Sequence, residues 1–530
     1  MESRNIYNQD LPACEANNVP LTPLQFLERN AFVYPDRTAI IHGEQQYTWK
    51  EMYARCKKLG HALEKRGIGK GDTVAIMANN CPAHIEVHYG VPFTGAVIAG
   101  LNTRLDAAMI AFQLCHSEAK LVLIDKQYSA VMAEALDMID NKPVVIDIDD
   151  PLCDEGELIG ECDYEALLAE GDEHWKWHWP ENEWEAISMN YTSGTTGDPK
   201  GVLHAHRFLY GHLPCMELSQ GGFPRRGDIG WTPADWAWIG GLMDMAVPCL
   251  FYGVPLISHR FAKFEPEAAY DLMRREGVSN AFIPPTALRM MRQARAPDGL
   301  RLRAIGSGGE ALGADLLDWA RETLHCPINE FYGQTEANLV VAACDGVMDR
   351  VPGAMGLAVP GHEVAVLGPG DKPVGAGEVG EVCVAAPDPV MMLRYWNKPE
   401  ATAKKVVNGW LRTGDLATLT DSGQMVFHAR DDDVITSAGY RIGPVEIEQA
   451  LCSHADVTMA AVVGEPDALR TEIVVAHVVL RAGAEVTDDA LKALVREKVS
   501  AHVVPRRIVR TESLPMTATG KILRRALRPA

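Results

Sequence analysis

Between two apolar runs, AISMNY (186–191) and GVLHAHRFLY (201–210), stands TSGTTGDPK, residues 192–200. Glycines let backbone N–H groups approach a ligand, hydroxyls add donors, and a lysine supplies a point charge, so this composition suits a loop that cradles phosphate. It is not the G-x-x-x-x-G-K-[ST] loop of the common NTPases: Gly201 follows Lys200, and the glycine spacing differs. A solvated linker would rarely be bracketed by apolar runs. Further along come GSGGEAL (306–312), FYGQTE (331–336), WLRTGD (410–415), ARDDDVITSAGYRIGPVEIE (429–448) and PMTATGKILRR (515–525), which gather glycines, hydroxyls, carboxylates and cations. Taken singly these residues are ordinary. Tyr332 reads as a core aromatic, Thr335–Glu336 as a helix start, Asp415 as a turn residue, Arg430 as a surface arginine and Lys521 as a solvated lysine beside Arg524, Arg525 and Arg528.

The elements that must hold these stretches follow from patterning. At 530 residues the chain is long enough for several folding units, at about 150 residues each. With 47% hydrophobic and 23% charged residues, its composition is that of a globular protein with a large core. A formal charge of −21 repels nucleic acid and anionic membranes, so a polyphosphate ligand requires cations gathered at its site. The first thirty residues lack the patterns of signal and transit peptides. The apolar stretch 238–257 contains Asp244, two prolines and several glycines, which suits a buried segment better than a membrane span. The twelve cysteines form no C-x-x-C pair, as expected of reduced thiols, and no zinc site is indicated. The expectation is a soluble cytoplasmic protein.

Helical spacing over 49–66 and 82–98 alternates with short apolar runs such as TVAIMAN and LVLID, and the alternation through the first 320 residues predicts α/β layers with parallel strands. Residues 149–185 are acidic and turn-rich and read as a surface excursion. Within them HWKWHW (174–179) invites a metal reading through His174 and His178, against the simpler one of indoles packed on the body. From about 360 to 428, short runs broken by Gly and Pro predict a small β unit, and after ARDDDV a compact α+β segment of about 100 residues begins. The expected division is 1–428 and 429–530.

The six ordered motifs resemble those of the adenylate-forming superfamily, which includes acyl-CoA synthetases, adenylation domains of peptide synthetases and firefly-type luciferases; the likeness covers about residues 20–528. It implies a reaction in which a carboxylate attacks the α-phosphorus of ATP to give an acyl-adenylate and pyrophosphate, after which a thiol displaces AMP. By this resemblance, Thr192, Ser193, Gly194, Thr195, Thr196, Gly197 and Lys200 cradle pyrophosphate. Gly308, Gly309 and Glu310 with Glu330, Phe331 and Tyr332 form the adenine slot; Thr335 meets the α-phosphate; Glu336 holds Mg²⁺; and Asp415 and Arg430 hold the ribose. The family pattern has Gly where this chain has Ala429, which puts the local backbone in question. Asp432 falls at the hinge about which the small domain turns. Lys521 is expected at the reacting carboxylate in one pose, and Gly439, Tyr440 and Arg441 along the thiol tunnel in the other.

The resemblance also bears on the acid. PADWAWIGGL (233–242) resembles the helix of the acyl pocket, making Trp238, Ile239 and Gly240 pocket candidates and Trp236 a core residue. Asp235 would hold an ammonium in an amino-acid-activating relative, or else caps a helix. Acetate-restricted members commonly carry tryptophan where this chain has Gly333, and its absence implies room for short-to-medium-chain fatty acids. The first ~190 residues resemble the branch acting on methylthiopropanoate-like acids, and the stretch from TPADWAWIGGL resembles acetyl- and medium-chain acyl-CoA synthetases, so a recombined chain is one reading. The expected activity is an AMP-forming acyl-CoA synthetase using ATP, Mg²⁺ and CoA. The alternatives are a stand-alone enzyme loading an amino or aryl acid onto a carrier protein, and a degenerate binding homologue. The chain ends nine residues after Lys521, which disfavours a fused carrier domain.

Overall fold

In the computed structural model, residue 14 and residues 16–192, 199–261, 263–438, 440–467, 469–481, 483–517 and 521–529 are described. Two large sheets dominate. An eight-stranded sheet is built mainly of parallel neighbours, with Thr73–Met77 between Val97–Gly100 and Ala119–Asp125. A nine-stranded sheet runs parallel from Thr38–His42 through Ile328–Gln334, then turns antiparallel at Ala337–Ala342. Strands of this kind are buried on both faces, and Thr73–Met77 is buried at every position, which is why they read as continuous apolar runs. The alternation of helix and strand therefore maps onto parallel layers, as expected.

The helix Trp49–Lys65 begins at a reciprocal cap: Thr48 Oγ1 accepts from Glu51 N, and the Glu51 carboxylate accepts from Thr48 N. Such a cap contributes about 1 kcal/mol. The helix expected over 82–98 is shorter. It spans Pro82–Gly90, passes into a 3-10 turn at Pro92–Thr94, and gives way to the strand Val97–Gly100, because Pro92 cannot continue the hydrogen-bond ladder and Gly95 takes φ +82°. The surface excursion 149–185 is also more ordered than its composition suggests. Its helix Tyr164–Ala169 buries Tyr164, Leu167 and Leu168.

The apolar stretch from 238 forms a buried helical segment, Ile239–Gly241 leading through a π-turn at Leu242–Ala246 into Val247–Tyr252. Among the described residues no helix is long and apolar enough to cross a membrane. The HWKWHW indoles pack: Trp177 stacks on Phe93 at 5.1 Å, and Trp175 Nε1 donates to Glu64 at 2.9 Å. His178 is held by the same Glu64, and among the described residues no group of three or more His, Cys, Asp or Glu could hold a metal ion.

A five-stranded sheet lies in the 364–430 region, with Trp410–Leu419 at its centre. A last five-stranded sheet, including Ile435–Ser437, Val457–Asp467 and Thr471–Leu480, carries the helices Pro444–Cys452 and Asp488–Lys498 around a core of its own. Between this segment and the rest of the chain lies a cavity of about 1370 Å³.

Candidate active site

The cavity is lined by parts of each of the six ordered motifs, although the Gly439–Arg441 stretch contributes no described residue to the lining. Among the described residues, twelve lysines and arginines face it against ten aspartates and glutamates. A chain of −21 thus presents a slightly cationic cleft, which is what a polyanion needs.

One end is organised by hairpins. Ile328–Gln334 and Ala337–Ala342 are joined by Thr335 and Glu336, so the turn itself presents a hydroxyl and a carboxylate to the cavity. Glu336 is nearly buried, and Tyr395 donates to its Oε1 at 2.5 Å. Burial opposes ionisation, but Lys405 Nζ at 3.9 Å, the Tyr395 hydroxyl and Lys200 together hold the carboxyl below its ordinary value. Lys200 lies opposite Thr192 across the strand pair Ala186–Thr192 and Lys200–Ala205, with its ammonium 5.0 Å from the Tyr395 ring centroid. The intervening Ser193, Gly194, Thr195, Thr196 and Gly197 lie outside the described residues.

Beside this hairpin, Asp415 sits within Trp410–Leu419 and pairs in register with Arg430. Asp415 Oδ2 accepts from Tyr332 Oη at 2.7 Å and from Gln334 Nε2 at 2.5 Å, and Arg430 Nε stands 3.8 Å from Oδ1. The Ala429 departure is harmless. Ala429 is a buried residue of the regular strand Met425–Arg430, outside the left-handed region where glycine would be required.

Gly308 ends the strand Ala304–Gly308, where a Cβ would meet Phe331 at 2.6 Å, and Gly309 follows with φ +95°. A Cβ on Gly309 would make only ordinary contacts, 3.4 Å from Trp238 Cζ2 and 3.7 Å from Lys521 Cε, so it is the left-handed backbone that favours glycine at this crossing. Glu310 is paired with Arg289 at 3.1 Å. Glu330 is buried, with one carboxylate oxygen unpartnered, and desolvation pushes its pKa up to about 7.

Lys521 reaches this crossing from the C-terminal segment. It is solvent-accessible along an open cleft yet closely surrounded by protein. That desolvation lowers its pKa from the usual lysine value, against the pull of Asp415, Glu310 and Glu336. Asp432 lies in the 3-10 turn Asp431–Asp433, where Arg528 donates to its carbonyl at 3.2 Å and Arg524 bonds Asp433. Tyr440 and Arg441 are not in the cleft. Tyr440 is more than half exposed, its ring 4.8 Å from that of His502, and Arg441 pairs with Asp431 at 3.0 Å. Gly439 lies outside the described residues.

Two expectations about the acyl pocket need correction. Of Trp238, Ile239 and Gly240, only Trp238 lines the cavity; its indole covers Gly240, where a Cβ would come within 2.9 Å of the ring. Gly333 lines the cavity, but it does not face vacant volume: a Cβ there would fall 2.1 Å from Leu339 N. The hairpin's bulge, between Tyr332 and Gln334, brings the opposite backbone too close for any side chain. Trp236 is fully buried, as expected of a core residue. Asp235 is occupied by Ala237 N and Thr103 Oγ1 and is not the cap of the helix, whose N-cap is Trp238.

Sequence reasoning missed Gln334, Tyr395 and Lys405. The first was inside a quoted motif; the other two come from Arg394–Tyr395 and the helix Pro399–Lys405, which no phosphate or metal pattern marks.

A family profile described as AMP-binding enzyme matches residues 27–396, and one described as AMP-binding enzyme C-terminal domain matches 446–521. A 2-methylpropanoate–CoA ligase of Humulus lupulus is 32% identical, over 98% of this chain and 97% of its own. A peroxisomal acetate/butyrate–CoA ligase of Arabidopsis thaliana is 31% identical over 98% and 96%. Among solved structures, a Brucella canis acyl-CoA synthetase matches with TM-score 0.73 and 33% identity, covering 97% of this chain and 95% of that one.

Proposed function

The chain belongs to the AMP-binding enzyme family, and from that premise we propose that it is an AMP-forming acyl-CoA synthetase acting on short-chain carboxylic acids. The observation that carries this is the meeting of Lys521, Asp415, Glu336 and Lys200 around one cleft that also holds Trp238. Lys521 would serve as the cation for both the acid's carboxylate and the α-phosphate, and Thr335 would add a hydroxyl. A carboxylate oxygen attacks the α-phosphorus and pyrophosphate leaves, so the developing negative charge meets fixed cations and donors that need no reorganisation. Asp415 accepts the ribose hydroxyls, with Arg430 beside it, and Gly308 to Glu310 and Glu330 to Tyr332 hold the base.

Magnesium fits this donor set. Mg²⁺ commonly takes one or two carboxylates and fills its remaining positions with phosphate oxygens and water, and Glu336 supplies such a carboxylate at the cavity wall. Bound there, the ion would offset part of the triphosphate's charge.

For the second step the segment from Asp432 onward turns, bringing Tyr440 and Arg441 toward the cleft as Lys521 leaves. This reading takes 1–428 and 429–530 as the two working bodies. The preference for short acids is supported by the acids named for the relatives, acetate, butyrate and 2-methylpropanoate, and by the Trp238 indole closing over Gly240. A place in fatty acid metabolism follows from that acid class. A cytoplasmic location accords with twelve free thiols, although three relatives are named peroxisomal, and cell fractionation decides between the two. The direct test is pyrophosphate release and CoA consumption by purified protein with Mg-ATP and a panel of straight, branched, aromatic and thioether acids. Release with C2 to C5 aliphatic acids is expected; silence across the panel refutes the assignment.

A further inference from the structure

Lys404 and Lys405 end the same short helix, Pro399–Lys405, yet their surroundings differ. Lys404 is exposed, as expected of a lysine placed near a helix C-terminus. Lys405 turns inward, its side chain 15% exposed, and donates to Gln334 Oε1 at 3.1 Å and the Thr413 carbonyl at 3.5 Å while standing 3.9 Å from Glu336. Gln334 in turn donates to Asp415. One ammonium therefore links two of the carboxylates that face the cleft from its fixed wall, Glu336 and Asp415.

We propose that Lys405 is a positioning residue for the triphosphate: it offsets the charge of Glu336 and Asp415 and fixes their orientation, so that a polyanion can enter beside them. The proposal rests on the reading of the cleft as an ATP site. Its basis is electrostatic. With Lys405 gone, only Arg430 beside Asp415 and the more distant Lys200 would offset the two carboxylates, and the uncompensated charge would repel the β- and γ-phosphates more than the single phosphate of AMP. Lys405 also belongs to the large body, so unlike Lys521 it stays when the C-terminal segment turns. Burial lowers its pKa from the usual lysine value, as does the company of Arg430 and Lys200, while Glu336 and Asp415 favour the charged form.

The experiment is equilibrium titration by calorimetry of AMP and of α,β-methylene-ATP with Mg²⁺, using the parent protein, Lys405→Met and Lys405→Arg. Removal of an outer partner of a metal ligand costs about 10–100-fold in affinity, so Lys405→Met should weaken the Mg-bound analogue by about that much and AMP by less than about threefold. Lys405→Arg, which keeps the charge, should recover most of the loss. In turnover, Lys405→Met should raise KM for ATP more than it lowers kcat. An equal loss for AMP and the analogue, no loss, or indistinguishable Met and Arg variants overturns the role of Lys405 while leaving the ATP site intact. Failure of the parent to bind the analogue at all overturns both.

Discussion

Lys521 and Tyr440 are carried by the same C-terminal segment, 81 positions apart, and meet opposite environments. Lys521 lies in the cleft among Asp415, Glu310 and Glu336, while Tyr440 is exposed beside His502 with Arg441 tied to Asp431. The opposite wall, carrying Glu330, Glu336 and Asp415, belongs to the large body. Under the proposed two-pose cycle, the contrast corresponds to the pose that joins an acid to AMP, with Tyr440 and Arg441 held outside the cleft until the segment turns about Asp432. Residues on the moving wall should then affect one half-reaction, and residues on the fixed wall both.

The strongest way to break this comparison is Lys521→Ala. Removing a positioned charge from a transition state should slow acyl-adenylate formation by about 10²–10⁴. Conversion of pre-made acyl-adenylate to thioester should be nearly unchanged, while Tyr440→Ala should show the reverse split. Equal losses in both half-reactions for either variant would remove the two-pose reading.

Glu330 tests the fixed wall through stability. Its pKa is raised in the folded protein from 4.5 to about 7 by burial. A group so raised stabilises most below its unfolded value, and that contribution is lost as pH rises from about 4.5 through about 7. A shift of this size corresponds to about 3 kcal/mol across the window. Glu330→Gln should remove this fall, leaving a flatter stability profile between pH 5 and 7.5 by denaturant titration. The buried histidines lose their contribution toward low pH, so the difference between variant and parent is the quantity to compare. A parallel pair of profiles would show that Glu330 is not held neutral.

The smallest expected effect concerns the acid. Trp238→Gly should open the space over Gly240 and shift kcat/KM toward longer acids by about fourfold per added methylene, the equivalent of about 0.8 kcal/mol each. An unchanged chain-length profile would take Trp238 out of the acyl site. Gly333→Trp, by contrast, should lower stability rather than redirect specificity, because the Leu339 backbone occupies the space beyond it.

Much of the frame was legible in advance. Parallel strands buried on both faces leave continuous apolar runs, and helices leave a 3.6-residue rhythm, so LVLID and 49–66 could be read directly. The 82–98 helix was misjudged because apolar spacing continues through Pro92 into a strand. Lys405 and Tyr395 were invisible for another reason: each sits in a short element whose local pattern is ordinary, and their importance comes only from contact with Glu336, far away in the chain.

The order and chemistry of the motifs thus determined, by themselves, the family, the layered α/β class and the residue types available for phosphate, because those properties are carried by local composition and spacing. Which glycine is a gap and which is a contact, which of two neighbouring lysines turns inward, and whether Lys521 or Tyr440 faces the cleft were decided only in three dimensions. Each depends on the close approach of segments that lie tens to hundreds of residues apart, and no local pattern encodes that distance.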